Sequence, residues 1–309
     1  LLPNSTYYYR VTSSDESGNP AVYPETGNPP ASFITPSAAF IDTTVADFSA
    51  GAPGDATTVR LAGNGEVTLK PLAYADFSGS SLPAGWTATT FASGGTHSVA
   101  NGLLTLDGTR AGPDTLNGPG QSLEVVATFN PARYQHIGFG VNFSAASGDA
   151  WAIISTGPNG TQLLARAWTG TGSFDTISTP ITGSYFGAPH TYRVDWQTDR
   201  IEYYIDGNLV ATHAVAISIP MRPLVADSDN GGPTLIVDQL SVSPYAAAGQ
   251  FTSRVLDALG PVTDGSIAWD SQTPENTSVG INIRTGNTPV PDGSWSSFAP
   301  VVNGAVIGS

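Results

Sequence analysis

Apolar and polar residues alternate along the central part of the chain with a period of two. The clearest runs span residues 122–129, 136–143 and 191–196. Because a strand places successive side chains on opposite faces, each run predicts a β-strand with one buried face. No stretch of ten or more residues carries a convincing 3.6-residue period. The pattern therefore predicts an all-β protein built of antiparallel β-sandwiches in series.

Composition narrows the classes of protein that this chain can belong to. The 309 residues include 25 Asp and Glu against 11 Lys and Arg, a formal net charge of −14, and no Cys. Lys70 is the only lysine and the arginines are scattered, so no basic stripe is available for nucleic acid. No window approaches the ~20 consecutive apolar residues of a membrane span. We therefore expect neither a nucleic-acid partner nor a membrane-spanning segment.

The first segment, residues 1–38, carries a Leu-Pro-Asn turn, a strand around the Tyr-Tyr-Tyr run at 7–9, and a second strand near 31–35. These residues resemble the last two strands of a fibronectin type III domain, in which one tyrosine forms the tyrosine corner. The alternative is an ordinary hairpin on another sheet. Since the earlier strands of such a domain are absent, we expect a piece cut from a longer multidomain polypeptide.

Residues 39–73 are predicted to be a strand-rich connector. Two short apolar runs, 58–61 and 66–69, are separated by Ala-Gly-Asn-Gly. An Asn-Gly turn between alternating runs is a strong hairpin signal.

The segment 74–246 carries a recognisable set of motifs. They are Pro-Ala-Gly-Trp at 83–86, Asn-Gly-Leu-Leu-Thr-Leu-Asp-Gly at 101–108, His-Thr-Tyr-Arg-Val-Asp-Trp at 190–196, Arg-Ile-Glu-Tyr-Tyr-Ile-Asp-Gly at 200–207 and Val-Asp-Gln-Leu-Ser-Val at 237–242. This set resembles the concanavalin A-like lectin and glucanase sandwich, which laminarinase-type hydrolases share with laminin G-like modules. The resemblance implies a central jelly roll, but the same fold serves lectins, adhesion modules and hydrolases alike.

The catalytic signature of the hydrolases in that family is missing. They carry E-x-D-x-x-E on one strand, which places a nucleophile and an acid/base ~5 Å apart across the scissile bond. Glu124 instead has apolar or hydroxyl neighbours, and the four histidines lack the glycine pattern of a nucleophile elbow. Further carboxylates fall in the predicted hairpin: Asp195, Asp199, Glu202 and Asp206. We expect no catalytic residues, and a hydrolase with an unrecognised acid pair is the minor alternative.

A sugar-binding face is the main functional expectation. Binding a pyranose needs a flat indole for its apolar face and planar donors and acceptors for its hydroxyls. Residues of these types are expected on the open, concave side of the sandwich, above Gly138 and Gly140: Glu124, His136, Asn142, Trp151, Arg166 and Trp168. The alternative is structural, with His136 and Arg166 pairing with Glu124 and the tryptophans plugging the sandwich edge.

A cation site is the second expectation. Asp227, Asp229 and Asn230 concentrate oxygen ligands in one tight turn, as a hard cation such as calcium prefers. Asp238 lies in the predicted closing strand, where related hydrolases often bind a structural calcium. The spacing departs from the EF-hand loop and lacks its terminal Glu, and a plain turn explains it equally well.

The last segment, 247–309, is predicted to be an incomplete accessory β-sandwich. Its Arg-Thr-Gly-Asn-Thr-Pro-Val-Pro-Asp-Gly-Ser-Trp run at 284–295 resembles a module repeated in large secreted bacterial proteins. Sandwiches in series are typical of extracellular or cell-surface proteins. We expect a non-catalytic module that is glycan-binding or adhesive, with a polysaccharide or surface glycan as its partner. The alternative is a structural subunit of a fibre or sheath that contacts further copies of itself or neighbouring domains.

Overall fold

The structure is a computed structural model, and it describes residues 6–14, 20–25, 27–34, 40–60, 65–144, 148–171, 177–259 and 264–308. Within these ranges the protein is almost entirely β-structure, and its one helix is five residues long. No described helix has the length and hydropathy that crossing a membrane requires. The all-β prediction is confirmed.

The first elements in chain order are β1 (Thr6–Tyr9), β2 (Val11–Ser14), β3 (Pro20–Tyr23), β4 (Ala31–Ile34), α1 (Val45–Ser49), β5 (Ala52–Pro53), β6 (Thr57–Arg60), β7 (Glu66–Leu69), β8 (Pro71–Ala75), β9 (Trp86–Thr90), β10 (Thr96–Ala100), β11 (Leu103–Asp107), β12 (Thr109–Pro113), β13 (Gln121–Thr128) and β14 (Gln135–Gly140). They are followed by β15 (Trp151–Ser155), β16 (Leu164–Trp168), β17 (Ile177–Pro180), β18 (His190–Trp196), β19 (Ile201–Ile205), β20 (Asn208–His213), β21 (Arg222–Asp227), β22 (Leu235–Tyr245), β23 (Phe251–Thr252), β24 (Asp264–Ser266), β25 (Ile281–Ile283), β26 (Ala299–Val301) and β27 (Val306–Gly308).

The chain forms two compact units. One comprises Leu1–Asp42 together with Arg254–Ser309, and the other comprises Thr43–Ser253. The segment predicted to be a connector, residues 39–73, therefore belongs to the larger unit from Thr43 onward. Strand β23, expected to open the last segment, pairs with β5 inside the larger unit.

The smaller unit consists of short antiparallel pairs. Strand β1 pairs with β4, β2 with β3, β24 with β27 and β25 with β26. The resemblances to a fibronectin type III domain and to an accessory sandwich stay predictions, and the opening residues 1–5 lie outside the described ranges.

The larger unit is an antiparallel sandwich of two sheets. In the eight-stranded sheet the order is β10-β11-β22-β13-β18-β19-β20, with β8 also pairing with β22. In the seven-stranded sheet the order is β17-β16-β15-β14-β21-β12-β9. Consecutive strands of the sequence alternate between the sheets at several points, so most of the pairing is long-range.

The main core lies between these two sheets. Strand β13 contributes Leu123 and Val125 from the eight-stranded sheet, and β14 contributes Ile137 and Phe139 from the other. The ring of Phe139 lies 5.5 Å from that of Trp196 across the core. The side of each sheet that is turned away from this core is called its outer face below.

Several local predictions are confirmed by the pairing. Strands β6 and β7 form the expected hairpin, although its turn, residues 61–64, lies outside the described ranges. Between β19 and β20, Asp206 and Gly207 have φ of 50° and 79°. Positive φ at both central residues is the requirement of a type I′ turn, which Asp-Gly meets well.

Candidate functional site

Four of the six expected ligand residues share the outer face of the seven-stranded sheet. Trp151 pairs directly with Trp168, and two residues further along β16 lies Arg166, opposite Ile153. His136 pairs with Ser155 on the next strand. Directly paired residues project from the same face of a sheet, so these side chains form one surface.

Glu124 and Asn142 are placed differently. Glu124 lies on β13 of the eight-stranded sheet, between buried Leu123 and Val125, and its carboxylate is 3.7 Å from the guanidinium of Arg60. The main core therefore separates it from His136 and Arg166, and the expectation that it lines their surface is wrong. Asn142 follows β14 and accepts a hydrogen bond at its backbone oxygen from Arg110.

The expected open groove is closed by an apolar layer. Trp151 and Trp168 are only 5% and 3% exposed, and they pack with further apolar side chains of the same face. This group, which we call the outer apolar cluster, comprises Phe143, Trp151, Ile153, Trp168, Leu224 and Ala226. The tryptophans are therefore not flat, solvent-facing platforms.

The glycines of β14 do not leave space above the sheet. A Cβ added at Gly140 would fall on the ring of Phe143, and one added at Gly138 would meet the Ala152 carbonyl and the side chain of Ile153. The expectation of room above these two residues is wrong because neighbouring backbone and side-chain atoms fill it.

His136 is buried and uncharged. Burial, assisted by the nearby positive charge of Arg166, lowers the pKa of His136 to about 3. Its Nδ1 lies 2.9 Å from the Ser155 hydroxyl. A neutral imidazole with a depressed pKa is a structural group here, and it is unsuited to proton transfer near neutral pH.

Three partly buried arginines, Arg110, Arg166 and Arg222, lie on the outer face of this sheet. Burial lowers the pKa of Arg166, and no Asp or Glu of the described chain lies within ion-pair distance of it. Arg110 lies 4.9 Å from the Phe91 ring centroid. Arg222 pairs with Asp114 at 3.1 Å. Sequence reasoning missed Arg110 and Arg222, because only the strand order places β21 beside β14 and β12 beside β21.

The described residues of this surface include no acid pair. Across the described strands of the seven-stranded sheet, the residues on the outer face include no Asp or Glu. Asp114 and Asp149 lie just beyond strand ends, and both are engaged. Asp149 accepts hydrogen bonds from the Asn142 and Ser144 backbones at 2.9 and 2.8 Å. The described part of the surface therefore lacks the two facing carboxyl groups that glycoside hydrolysis requires.

The expected cation ligands do not converge. Asp227 accepts a hydrogen bond from the Gln135 side chain at 3.0 Å, Asp229 pairs with Arg133 at 2.7 Å, and Asn230 donates to the Ser93 carbonyl at 2.8 Å. Burial raises the pKa of Asp227 to about 7.

The fourth expected cation ligand, Asp238, lies on β22 of the eight-stranded sheet, away from that turn. Among the residues that the structure describes, no group of three or more His, Cys, Asp or Glu side chains is arranged to hold a metal ion. Calcium binding stays a prediction.

Part of this surface matches a known family. The model described as Glycosyl hydrolases family 16 matches residues 167–224, which run from the end of β16 into β21. The match therefore includes Trp168, Arg222 and Leu224 of the surface, and strands β18 to β20 of the facing sheet. No curated protein sequence matches the chain.

The solved structures that are similar to part of this chain include β-glucanases and a protein described as a pseudo-glucanase. The β-glucanase of Bacillus licheniformis is 19% identical and has a TM-score of 0.42, over 56% of this chain and 97% of that one. The endo-β-1,3-glucanase of Pyrococcus furiosus is 14% identical with a TM-score of 0.43, over 66% and 99%. A protein of Mycobacterium tuberculosis, described as an immunostimulatory antigen and pseudo β-1,3-glucanase, is 15% identical with a TM-score of 0.43, over 58% and 99%.

The strand pairing defines the larger unit as an antiparallel β-sandwich of two sheets. Its partial sequence match is to a family of glycoside hydrolases.

Proposed function

We propose that the outer face of the seven-stranded sheet binds a polysaccharide and does not cut it. The observation that carries the proposal is Arg166, a partly buried guanidinium that no acidic side chain of the described residues neutralises. A desolvated guanidinium is costly unless donors find acceptors, and sugar hydroxyls or carboxylates supply acceptors in suitable planes. The family match through β21 supports a carbohydrate as the ligand.

The aromatic contribution to binding comes from rings at the margin of the surface. Phe91 and Tyr134 remain partly exposed, whereas the two tryptophans beneath are buried. Phe91 packs against the outer apolar cluster, and the Tyr134 ring lies 6.1 Å from that of His136. Rings in such positions offer an apolar face to a pyranose while Arg166 and Arg110 hold its polar groups. An extracellular or cell-surface location, where polysaccharides are met, is part of this proposal.

Affinity electrophoresis through gels containing neutral β-glucans or uronate-containing polysaccharides tests the proposal. We expect at least one polysaccharide to retard the protein, and Arg166→Ala to weaken this binding by about tenfold, the loss of one charge-assisted hydrogen-bonding group. The control is Arg200→Ala, because Arg200 is an exposed arginine that pairs with Asp199 and Glu202 on the other sheet.

Two outcomes would contradict the proposal. If no polysaccharide retards the protein and sedimentation shows self-association, the hypothesis of a structural subunit replaces this proposal. If reducing ends are released from a bound β-glucan, the protein is a hydrolase, the second candidate, which the family match favours. In that case Asp114→Asn and Asp149→Asn should identify the acids, since these are the carboxylates nearest the surface.

A further inference from the structure

Strand β22 contains a bulge that turns two neighbouring polar side chains to the same side. Val126 pairs with Gln239, but the next residue, Ala127, pairs with Val237, so Asp238 is an extra residue in the ladder. Val237 and Leu240 both point into the main core. Asp238 and Gln239, which lie between them, therefore both face outward from the eight-stranded sheet. Bulges are frequent beside functional sites, where they re-aim side chains.

These two side chains line a cleft of about 490 Å³ on that outer face. The cleft lies between the β6–β7 hairpin and strands β13, β18 and β22. Its polar lining includes Arg60, Glu66, His190, Asp206, Asp238 and Gln239. This volume is within the range of small-molecule sites.

Most of these polar groups already satisfy one another. Arg60 pairs with Glu66 at 3.0 Å, and on its other side with Glu124. His190 Nδ1 lies 2.7 Å from a carboxylate oxygen of Asp206. These contacts hold the walls of the cleft together. They do not involve the two bulge residues, Asp238 and Gln239.

The bulge residues present acceptors without donors. The side-chain oxygen of Gln239 is buried, the residue is only 8% exposed, and no described residue donates a hydrogen bond to this oxygen. The Asp238 carboxylate has no ion-pair partner among the described residues. A buried acceptor without a donor destabilises the folded protein, so such groups in native proteins call for a specific explanation.

We propose that this cleft binds a small organic ammonium ligand, with Asp238 and the Gln239 side-chain oxygen accepting hydrogen bonds from its nitrogen. An ammonium group carries donors only, which complements two adjacent acceptors. Three carboxylates and one guanidinium line the cleft, so its charge favours a cation. Val126 and Pro189 supply apolar contact for the carbon atoms next to the nitrogen.

A bare calcium ion fits this arrangement less well. Calcium takes six to eight oxygen ligands, whereas the two unengaged acceptors here come from a single bulge. The remaining carboxylates of the cleft, Glu66 and Asp206, are held by Arg60 and His190. We therefore expect a ligand that also makes apolar contacts with the cleft, which a bare ion does not.

Titration of the ¹⁵N-labelled protein with n-butylammonium chloride, followed by amide chemical shifts, tests the proposal. We expect saturable shifts at the amides of Thr191, Asp238 and Gln239. Asp238→Asn, which keeps the shape and removes the charge, should raise the dissociation constant at least tenfold, and Gln239→Leu should also raise it. Asp199→Asn, a matched change in the exposed turn between β18 and β19, should leave it unchanged.

Three results would overturn the proposal. These are equal binding of n-butanol, binding that survives Asp238→Asn in a folded protein, and calcium chloride producing the same shifts at lower concentration than the amine. Because Arg166→Ala removes the proposed polysaccharide contact and leaves this cleft intact, n-butylammonium binding by that variant separates failure here from failure of the proposed function.

Discussion

Trp151 and Trp168 occupy directly paired positions on β15 and β16, and their ring centroids lie 4.7 Å apart with planes tilted by 56°. Each indole is almost completely buried on the outer face of its sheet. The pair therefore lies within a second, smaller apolar cluster and is not a solvent-facing platform. This arrangement leads to the first prediction.

Replacing either tryptophan with alanine should destabilise the sandwich. Trp168→Ala removes a buried ring and leaves a cavity, for which a loss of about 3–5 kcal/mol in the free energy of unfolding is expected. Trp168→Phe keeps an aromatic ring there and should cost much less. Urea unfolding monitored by circular dichroism measures both. A loss below about 1 kcal/mol for Trp168→Ala would show that the indole is a surface group.

Buried His136 should make stability fall in acid. Its pKa is about 3 in the folded protein and about 6.5 when unfolded, so between these values only the unfolded chain binds the proton. The resulting contribution to the free energy of unfolding is fully present above pH 6.5 and is lost as the pH falls from 6.5 towards 3. His136→Gln should remove it, while His97→Gln, at an exposed position, should not. Urea midpoints measured at half-unit pH steps test this.

Buried Asp227 should contribute a term of opposite sign. Its pKa is about 7 in the folded protein and about 3.9 when unfolded, so in this interval only the folded chain holds the proton. This term is fully favourable below pH 3.9 and is lost as the pH rises through 7. Asp227→Asn should remove the loss between pH 4 and 7. Asp229→Asn is the control from the same turn, because Asp229 is only partly buried and is paired with Arg133.

The His136 and Asp227 contributions both change between pH 4 and 6.5. In this range they change the free energy of unfolding in opposite directions. The parent protein should therefore show little pH dependence there. Stability should rise with pH in Asp227→Asn, which leaves the histidine term, and fall with pH in His136→Gln, which leaves the aspartate term. If both variants keep the flat profile of the parent, the inferred burial of these groups is wrong.

The period-two pattern was sufficient to predict the strands but not the faces they share. Leu123, Val125 and Phe139 are buried as the alternation indicates. Which sheet a strand joins depends on pairing between distant segments, as for His136, which lies beside Ala226 of β21. Glu124 and His136 are close in sequence, yet the chain crosses from one sheet to the other between them, and local patterning cannot report that crossing.

The bulge on β22 did leave a signal in the sequence. Apolar residues fall at Leu235 and Val237 and resume at Leu240 and Val242, so the alternation skips one position. A skipped position in an otherwise regular strand indicates a bulge with two residues on one face. Partner contacts such as that between Arg60 and Glu124 carry no such local signal, because they depend on where the β6–β7 hairpin lies.

The contact between Gly140 and Phe143 provides the final prediction. Adding a methyl group at Gly140 would place it on the Phe143 ring, which itself packs in the outer apolar cluster. Overpacking of this kind typically costs about 1–3 kcal/mol, so Gly140→Ala should destabilise the sandwich by that amount. Gly118→Ala is the control, since a Cβ there meets nothing within 4 Å.

A double-mutant cycle shows whether that cost arises from this one contact. Phe143→Ala alone should destabilise, because it removes part of the outer apolar cluster. In the double variant the new methyl group has space, so the two losses should sum to more than the combined loss, with a coupling of about 0.5–3 kcal/mol. Strictly additive losses would mean that Phe143 does not lie over Gly140, and the surface would then be open where the structure has it closed.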